Sequence, residues 1–140
     1  MPDKLDQAFC TKLNLYDEKL FKKMSKGTGY ITKEKFLAYC EERTDVFLSH
    51  DWGAGSVNHK RVKLINAELK KMGIKTWFDE EKMEGSIDEK MARGIETTSC
   101  GLIFITQAYI DKVGGDNKDD NCRKEFSYAA RKLSGRMIAV

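Results

Sequence analysis

The sequence predicts an α/β fold with a parallel sheet in residues 45–140, preceded by a small helical unit in residues 1–44. Three observations lead to this prediction. From residue 45 onward, short apolar runs typical of strands alternate with longer segments of helical periodicity, a pattern typical of βαβ units. The run 100–106 is nearly all apolar, as expected of a strand that is covered on both faces. Residues 1–44 show helical periodicity and no strand alternation.

Composition and charge narrow the function classes. Apolar residues make up 41% of the chain and charged residues 34%, a balance typical of a folded globular protein with a polar surface. The formal net charge is only +3, and Lys and Arg are interleaved with Asp and Glu instead of forming a basic stripe. Nucleic acid is therefore not expected as a partner.

Membrane insertion and secretion are not expected either. No apolar run approaches the length of about 18 residues that a membrane-spanning helix needs. Residues 1–7 are charged, unlike a signal peptide. The sequence therefore predicts a cytoplasmic location without membrane contact.

The cysteines and histidines form no pattern that indicates a metal site. The chain has two histidines, His50 and His59, and no pair of cysteines has the C-x-x-C spacing of zinc ligands. In a reducing compartment we expect free thiols, and a buried cysteine most often behaves as a small apolar side chain. The cysteines in question are Cys10, Cys40, Cys100 and Cys122.

Residues 45–140 contain four predicted strands joined by helices. The strands cover residues 45–52, 74–79, 100–106 and 137–140, and the helices cover residues 58–72, 86–97 and 121–133. The glycine-containing segment 113–121 is expected to be a polar loop. In the first of these helices, the apolar residues at helical spacing are expected to form the buried face, namely Val62, Ile65, Leu69 and Met72.

Two helical stretches in residues 1–44 flank the glycine-rich segment 25–32. This arrangement resembles one EF-hand, with Gly29 at the tight-turn glycine of that family and Ile31 at its apolar loop position. The resemblance does not extend to calcium binding, because the loop positions that supply oxygen ligands are occupied by Met24, Lys26, Thr28 and Lys35. We therefore expect a helical hairpin that packs or pairs without calcium. The alternative is a calcium-sensing regulator.

A second resemblance covers residues 45–140. The segments that carry it are Asp45-Val46-Phe47-Leu48-Ser49-His50, Phe78-Asp79, the loop 80–85, Ser99, Leu102-Ile103-Phe104-Ile105-Thr106, Tyr109 and Cys122-Arg123-Lys124-Glu125. In this order and spacing they resemble a TIR domain, the Toll and interleukin-receptor homology fold. The resemblance implies a flavodoxin-like parallel sheet of order 2-1-3-4 with helices on both faces. TIR domains usually continue through a further helix, strand and helix, so we expect this domain to be C-terminally incomplete.

The ligand crevice of such a sheet lies beyond the carboxyl ends of its strands, where the strand order reverses. Here that place is between the first and third strands, with residues 50–55 and 106–109 as its lips. The adjacent Ser49, His50 and Asp51 are not expected to form a hydrolytic triad, because neighbours along a strand point to opposite faces. The residues expected to bind the ligand are Ser49, His50, Asp51, Trp52, Asp79, Asn121 and Cys122.

Glu125 is the candidate catalytic residue. Some TIR domains cleave the bond between nicotinamide and ribose in NAD, and their carboxylate sits in a Cys-x-x-Glu pattern that Cys122 and Glu125 reproduce. Cleavage builds positive charge on the ribose, which an ionised carboxylate stabilises. We expect Glu125 in the first turn of its helix, where the dipole favours an anion. The alternative is that the glutamate only stabilises the helix start, where glutamate is common. A further difference from NAD-cleaving TIR domains is Asn121, which stands where those domains often carry Trp.

The loop after the second strand resembles the segment through which TIR domains contact one another. The expected interface residues are Glu81, Lys82, Met83, Glu84 and Gly85. A solvated loop without a partner is the alternative. The leading hypothesis is a TIR signalling module that binds TIR domains of the same or other chains and hydrolyses NAD, with NAD as substrate and no cofactor. The alternative is a scaffold or adaptor that cleaves nothing.

Overall fold

The computed structural model describes residues 2–12, 18–78 and 87–140. The chain divides into two compact units, Met1–Glu42 and Arg43–Val140. In these described ranges, no helix is both long enough and apolar enough to cross a membrane.

The N-terminal unit combines a small antiparallel sheet with short helices. Its elements are β1 (Lys4–Asp6), α1 (Gln7–Lys12), α2 (Glu18–Ser25), β2 (Tyr30–Thr32) and α3 (Lys33–Glu42). β1 pairs with β2, so that Leu5 lies opposite Ile31. Both side chains are buried, and with Cys10 and Phe21 they form the core of this unit. Helices α2 and α3 correspond to the two predicted helical stretches, whereas β1, α1 and β2 were not predicted.

The turn between α2 and β2 uses left-handed backbone conformations. Lys26, Gly27 and Gly29 have φ angles of 49°, 82° and 76°, a region that is open to glycine and costly for most other residues. The hydroxyl of Thr28 donates to the carbonyl of Ser25 at 2.6 Å and closes the turn. The glycine-rich segment of the sequence therefore forms a tight turn that leads into β2.

The C-terminal unit is an α/β domain on a parallel sheet, as the sequence predicted. Its elements are β3 (Thr44–Ser49), a 3-10 turn (Ala54–Ser56), α4 (Val57–Lys71), β4 (Thr76–Trp77), α5 (Ile87–Thr97), β5 (Thr98–Ile103), α6 (Gln107–Gly114), α7 (Asn121–Lys132) and β6 (Met137–Ala139). The strand order is β4-β3-β5-β6, and each neighbouring pair is parallel. This order confirms the predicted arrangement 2-1-3-4.

The central strand β3 sends successive side chains into two separate cores. Phe47 packs on Trp77 of β4, with 4.4 Å between the ring centroids, and on residues of α5 and α7. Leu48 packs in the other core, with Val62 of α4 and with Phe78. Helices therefore cover both faces of the sheet. This coverage explains why β3 is apolar at consecutive positions.

The buried face of α4 differs from the prediction. Ile65 and Met72, which we expected in the core, are 39% and 74% exposed. The helix buries His59 and Asn66 instead. The hydroxyl of Thr76 in β4 donates a hydrogen bond to the side-chain oxygen of Asn66, and a polar group with such a partner is buried at little cost. The two other predicted residues of this face do pack in the core.

Gly94 of α5 allows this helix to lie very close to Trp77. A Cβ atom at position 94 would lie 2.4 Å from the indole nitrogen of Trp77, well inside van der Waals contact. We expect Gly94→Ala to lower the free energy of unfolding by about 1–3 kcal/mol, the usual cost of overpacking a core. Urea-induced unfolding measures this change.

The control for this prediction is Gly114→Ala at the end of α6. Apart from its chain neighbours and the backbone of its own helix, no described atom lies within 4 Å of a Cβ placed at Gly114. This substitution should be neutral or should stabilise the protein by about 0.4–1 kcal/mol, because alanine restricts the unfolded chain. Equal small effects of both substitutions would contradict the close contact between α5 and β4.

Candidate functional site

Polar residues at the end of β3 lie beside the end of β5 and the start of α7. The backbone amide of Phe104 donates to the carbonyl of Ser49 at 2.9 Å. The thiol of Cys122 in α7 donates to the carbonyl of His50 at 3.5 Å. The strand order reverses between β3 and β5 at this edge of the sheet, which is the place where the sequence predicted a ligand crevice.

Glu125 of α7 is hydrogen-bonded to the last residue of β3. The hydroxyl of Ser49 donates to Oε2 of Glu125 at 2.9 Å. The oxygen of Ser49 also lies 2.8 Å from the phenol oxygen of Tyr109 in α6. Ser49 and Tyr109 are buried, whereas Glu125 is only partly buried. A half-exposed carboxylate is thus held by groups in the protein interior.

The direction of these hydrogen bonds follows from the number of protons. A serine hydroxyl carries one proton, so when Ser49 donates to Glu125 the phenol of Tyr109 must donate to Ser49. Desolvation by burial raises the pKa of Tyr109 above its ordinary value, and the nearby carboxylate of Glu125 adds to the rise. The phenol therefore keeps its proton. The three side chains form a directed chain that ends on the carboxylate of Glu125.

The first turn of α7 is capped by Asp120. Its carboxylate accepts hydrogen bonds from the backbone amides of Cys122 and Arg123 at 2.9 and 3.3 Å. Because α7 begins at Asn121, Glu125 lies beyond the first turn in which we expected it. The effect of the helix dipole falls off within one turn. The hydroxyl of Ser49, more than the dipole, therefore holds this carboxylate.

Asp51 is buried, and its carboxylate accepts hydrogen bonds from other residues of the domain. The residue is 1% exposed. Oδ1 of Asp51 accepts hydrogen bonds from the side-chain amide of Asn58 at 3.1 Å and from the hydroxyl of Thr106. The same amide of Asn58 donates to the carbonyl of Asp51 at 2.9 Å. These contacts connect the loops that follow β3 and β5, at a residue that the sequence predicted as a ligand contact.

His50 and His59 form a buried aromatic stack next to Trp52. Nε2 of His50 and Nδ1 of His59 lie 2.8 Å apart, so one ring nitrogen donates to the other. The ring of His59 stacks on Trp52 and on Phe78, with centroid distances of 4.4 and 5.1 Å. Trp52 itself is 43% exposed. A partly exposed indole that is supported by aromatic rings can stack with a planar ligand.

The other predicted ligand residues differ in accessibility. Asn121 is exposed at the first position of α7. Cys122 is buried, and desolvation raises the pKa of its thiol to about 12, so this thiol is neutral in neutral solution. Asp79 and the predicted interface residues 81–85 lie outside the described residues.

Sequence reasoning missed three contributors to this edge of the sheet. Asn58 and His59 were not predicted as site residues, and Tyr109 was assigned to a lip of the crevice without a hydrogen bond to Ser49. Asn58 and His59 stand three and four residues after Gly55, and this polar pair near a helix start was the available signal. Over the part of the chain that the structure describes, no group of three His, Cys, Asp or Glu side chains is placed to hold a metal ion.

The burial of Cys122 predicts a thiol that resists alkylation. With a pKa of about 12, this thiol carries very little thiolate at about pH 8, and the thiolate is the reactive form. We expect iodoacetamide to modify the exposed Cys40 at least about 100-fold faster than Cys122 in the native protein. Peptide mass spectrometry over a time course measures both rates. In guanidinium both cysteines should react alike, and equal rates in the native protein would contradict the burial of Cys122.

Comparison with known proteins agrees with this architecture. The family model described as TIR domain matches residues 46–140, which is more than half of the chain. The match begins inside the central strand β3 and includes the other strands of the parallel sheet. A search among curated proteins gave no match. The chain therefore belongs to the TIR domain family.

Proposed function

We propose that this chain is a TIR signalling module that self-associates through residues 81–85 and hydrolyses NAD to nicotinamide and an ADP-ribose product, with Glu125 as the catalytic carboxylate. The main support is the hydrogen bond of 2.9 Å from the buried hydroxyl of Ser49 to Glu125. It fixes a half-buried carboxylate at the edge of the sheet where open α/β folds bind their ligands. Membership of the TIR family supports the signalling role.

The chemistry needs one fixed negative charge near the ribose. When the bond between ribose and the nicotinamide nitrogen breaks, its electron pair leaves with nicotinamide, and the ribose becomes an oxocarbenium ion. A carboxylate that is already in place stabilises this charge without reorganisation. Water then adds to the ribose carbon and releases a proton. Ser49 supports this role because a hydrogen bond donated to a carboxylate favours its anionic form.

The aromatic rings of NAD are proposed to stack on the indole of Trp52. Its indole is 43% exposed and is supported by the stacked ring of His59, an arrangement suited to stacking. The exposed Asn121 is the proposed polar contact at the start of α7. Asp51 and Cys122 are buried, and we assign them the role of positioning the loops and α7 around the substrate.

A scaffold that cleaves nothing is the second candidate function. The observation that favours it is again the bond between Ser49 and Glu125. A buried serine needs a hydrogen-bond partner, and Glu125 supplies one while it fastens α7 to β3. In this alternative the glutamate stabilises the fold, and the function consists of binding other TIR domains.

The N-terminal unit is proposed to be an EF-hand-like hairpin that does not bind calcium. The ammonium group of Lys35 donates to the carbonyl of Met24 at 3.4 Å. These two residues occupy the last and the first ligand positions of an EF-hand loop, so the contact places a side-chain cation across the loop where calcium would need oxygen ligands. The pairing of Leu5 with Ile31 supports the resemblance, because Ile31 stands at the apolar position of the loop.

The enzyme proposal predicts a loss of nicotinamide release in Glu125→Gln. Glutamine keeps the size of the side chain and accepts a hydrogen bond from Ser49, but it removes the negative charge. We expect the rate to fall by at least about 100-fold, the usual scale for one preorganised group that stabilises a transition state. Chromatography of nicotinamide measures the rate, with assembled protein incubated with NAD.

Ser49→Ala is the matched variant for this experiment. It leaves the carboxylate of Glu125 in place and removes the donor that orients it, so a partial loss of about tenfold is expected for one hydrogen bond to a charged group. No nicotinamide release from assembled wild-type protein would favour the scaffold. Release that is unchanged in Glu125→Gln would remove this residue from the mechanism.

The hairpin proposal predicts no calcium binding. Titration of the chain with calcium chloride in a calorimeter should give only the heat of dilution, because the loop offers a thioether and ammonium groups at ligand positions. A magnesium titration serves as the control for nonspecific binding to surface carboxylates. A saturable calcium site in the micromolar range would contradict the proposal and support the calcium-sensing alternative.

A further inference from the structure

Helices α5 and α7 border an open cleft on the surface of the C-terminal unit. The cleft has a volume of about 400 Å³, and its lining includes Met91, Lys118, Arg123, Lys124, Tyr128 and Arg131. Four of these side chains are positively charged, whereas Met91 and Tyr128 provide an apolar floor. In the described part of the chain, no carboxylate belongs to the lining.

Neutral groups orient several of these positive charges. Nε of Arg131 donates to the carbonyl of Ser127 at 3.3 Å, and the guanidinium lies 5.6 Å from the ring centroid of Tyr128. Arg123 donates to the carbonyl of Gly115. A carbonyl or a ring fixes the position of a cation without cancelling its charge. The cleft therefore presents an oriented basic rim.

Among the described residues, two carboxylates contact residues of the lining without belonging to it. Glu96 accepts a hydrogen bond from the phenol of Tyr128 at 2.7 Å and forms an ion pair with Lys132. The ammonium group of Lys124 lies 3.9 Å from the carboxylate of Asp119, whose side chain is 95% exposed. Exposed ion pairs at such a distance contribute little energy. This ion pair therefore does not remove the charge of Lys124 from the basic rim.

The chain itself contains an acidic segment that is complementary in charge to the cleft. Residues 79–85, which lie outside the described residues, contain four carboxylates, one ammonium group and Met83. An acidic segment with one apolar side chain matches both the basic rim and the apolar floor of the cleft. A small anion such as phosphate would match the rim alone. Charge and apolar content together favour the segment as the occupant.

We infer that the cleft of one copy of this chain binds the acidic segment 79–85 of a second copy. This inference rests on the proposed self-association through residues 81–85 and identifies the surface to which that segment binds. The contact joins two different surfaces, so each bound copy presents a further cleft and a further segment. Such a head-to-tail contact extends into an open assembly unless its rotation closes a ring.

The test uses two charge-reversal variants of the full chain. The cleft variant carries Lys118→Glu and Arg131→Glu, and the segment variant carries Glu81→Lys and Glu84→Lys. Each variant alone brings like charges together, and its association constant should fall by at least about tenfold relative to wild type. An equimolar mixture of the two variants restores opposite charges between copies and should associate again. Sedimentation velocity over a concentration series measures all of these states.

The control variant carries Lys60→Glu and Arg61→Glu, at two exposed positions of α4. It changes the net charge by the same amount as the cleft variant and should associate like wild type. Urea unfolding of each variant verifies that the fold is retained. Salt should weaken the wild-type association, because the screening length falls from about 10 Å at 0.1 M to about 3 Å at 1 M.

Several outcomes would overturn the inference. If the cleft variant associates like wild type, the cleft is not the docking surface. If that variant has also lost the ability to bind inorganic pyrophosphate, the cleft is a site for small anions. If the segment variant is still impaired in that case, self-association through the segment stands and the segment binds elsewhere. If the segment variant also associates like wild type, or if wild type remains monomeric, the proposed interface fails as well. A mixture that stays monomeric would show that the cleft and the segment do not contact each other between copies.

Discussion

The C-terminal unit depends on hydrogen bonds to three consecutive buried polar residues at the end of β3. Ser49, His50 and Asp51 are each at most 4% exposed, and buried polar groups are stable only with hydrogen-bond partners. Their partners lie on the helices α4, α6 and α7 and on the loop after β5. The partners are Glu125 and Tyr109 for Ser49, His59 for His50, and Asn58 and Thr106 for Asp51. The polar end of one strand thus fixes where helices from both faces of the sheet meet.

The fold could be predicted because its main determinants are local. The apolar run of β5 and the helical periodicity of α5 and α7 are properties of neighbouring residues, and the family resemblance supplied the strand order. The strands β1 and β2 could not be predicted, because three residues are too few to show alternation. The buried face of α4 was predicted wrongly at Ile65 because its neighbour Asn66 has a partner, Thr76, on another strand. The sequence of the helix alone does not contain that information.

The candidate site could be predicted only in part. The pattern of β3 indicates that Ser49 stands at the carboxyl end of a central strand. The proximity of Glu125 follows from the family resemblance, since 76 residues separate it from Ser49. The hydrogen bond that Asp51 accepts within the domain could not be foreseen, because its donor Thr106 is 55 residues away. An acidic residue at a strand end looks the same in sequence whether it binds a ligand or connects two loops.

Helix α7 links the two proposals because it carries Glu125 on one side and basic cleft residues on another. Glu125 and the buried Ala129 are four residues apart and share a face, whereas Lys124, Tyr128 and Arg131 follow at spacings of four and three residues along the cleft. A partner in the cleft therefore binds the helix that positions the carboxylate. Such binding changes the site only if the partner prefers one of two positions of α7. For the proposed NAD cleavage, a shift of α7 would act by changing the hydrogen bond of 2.9 Å between Ser49 and Glu125.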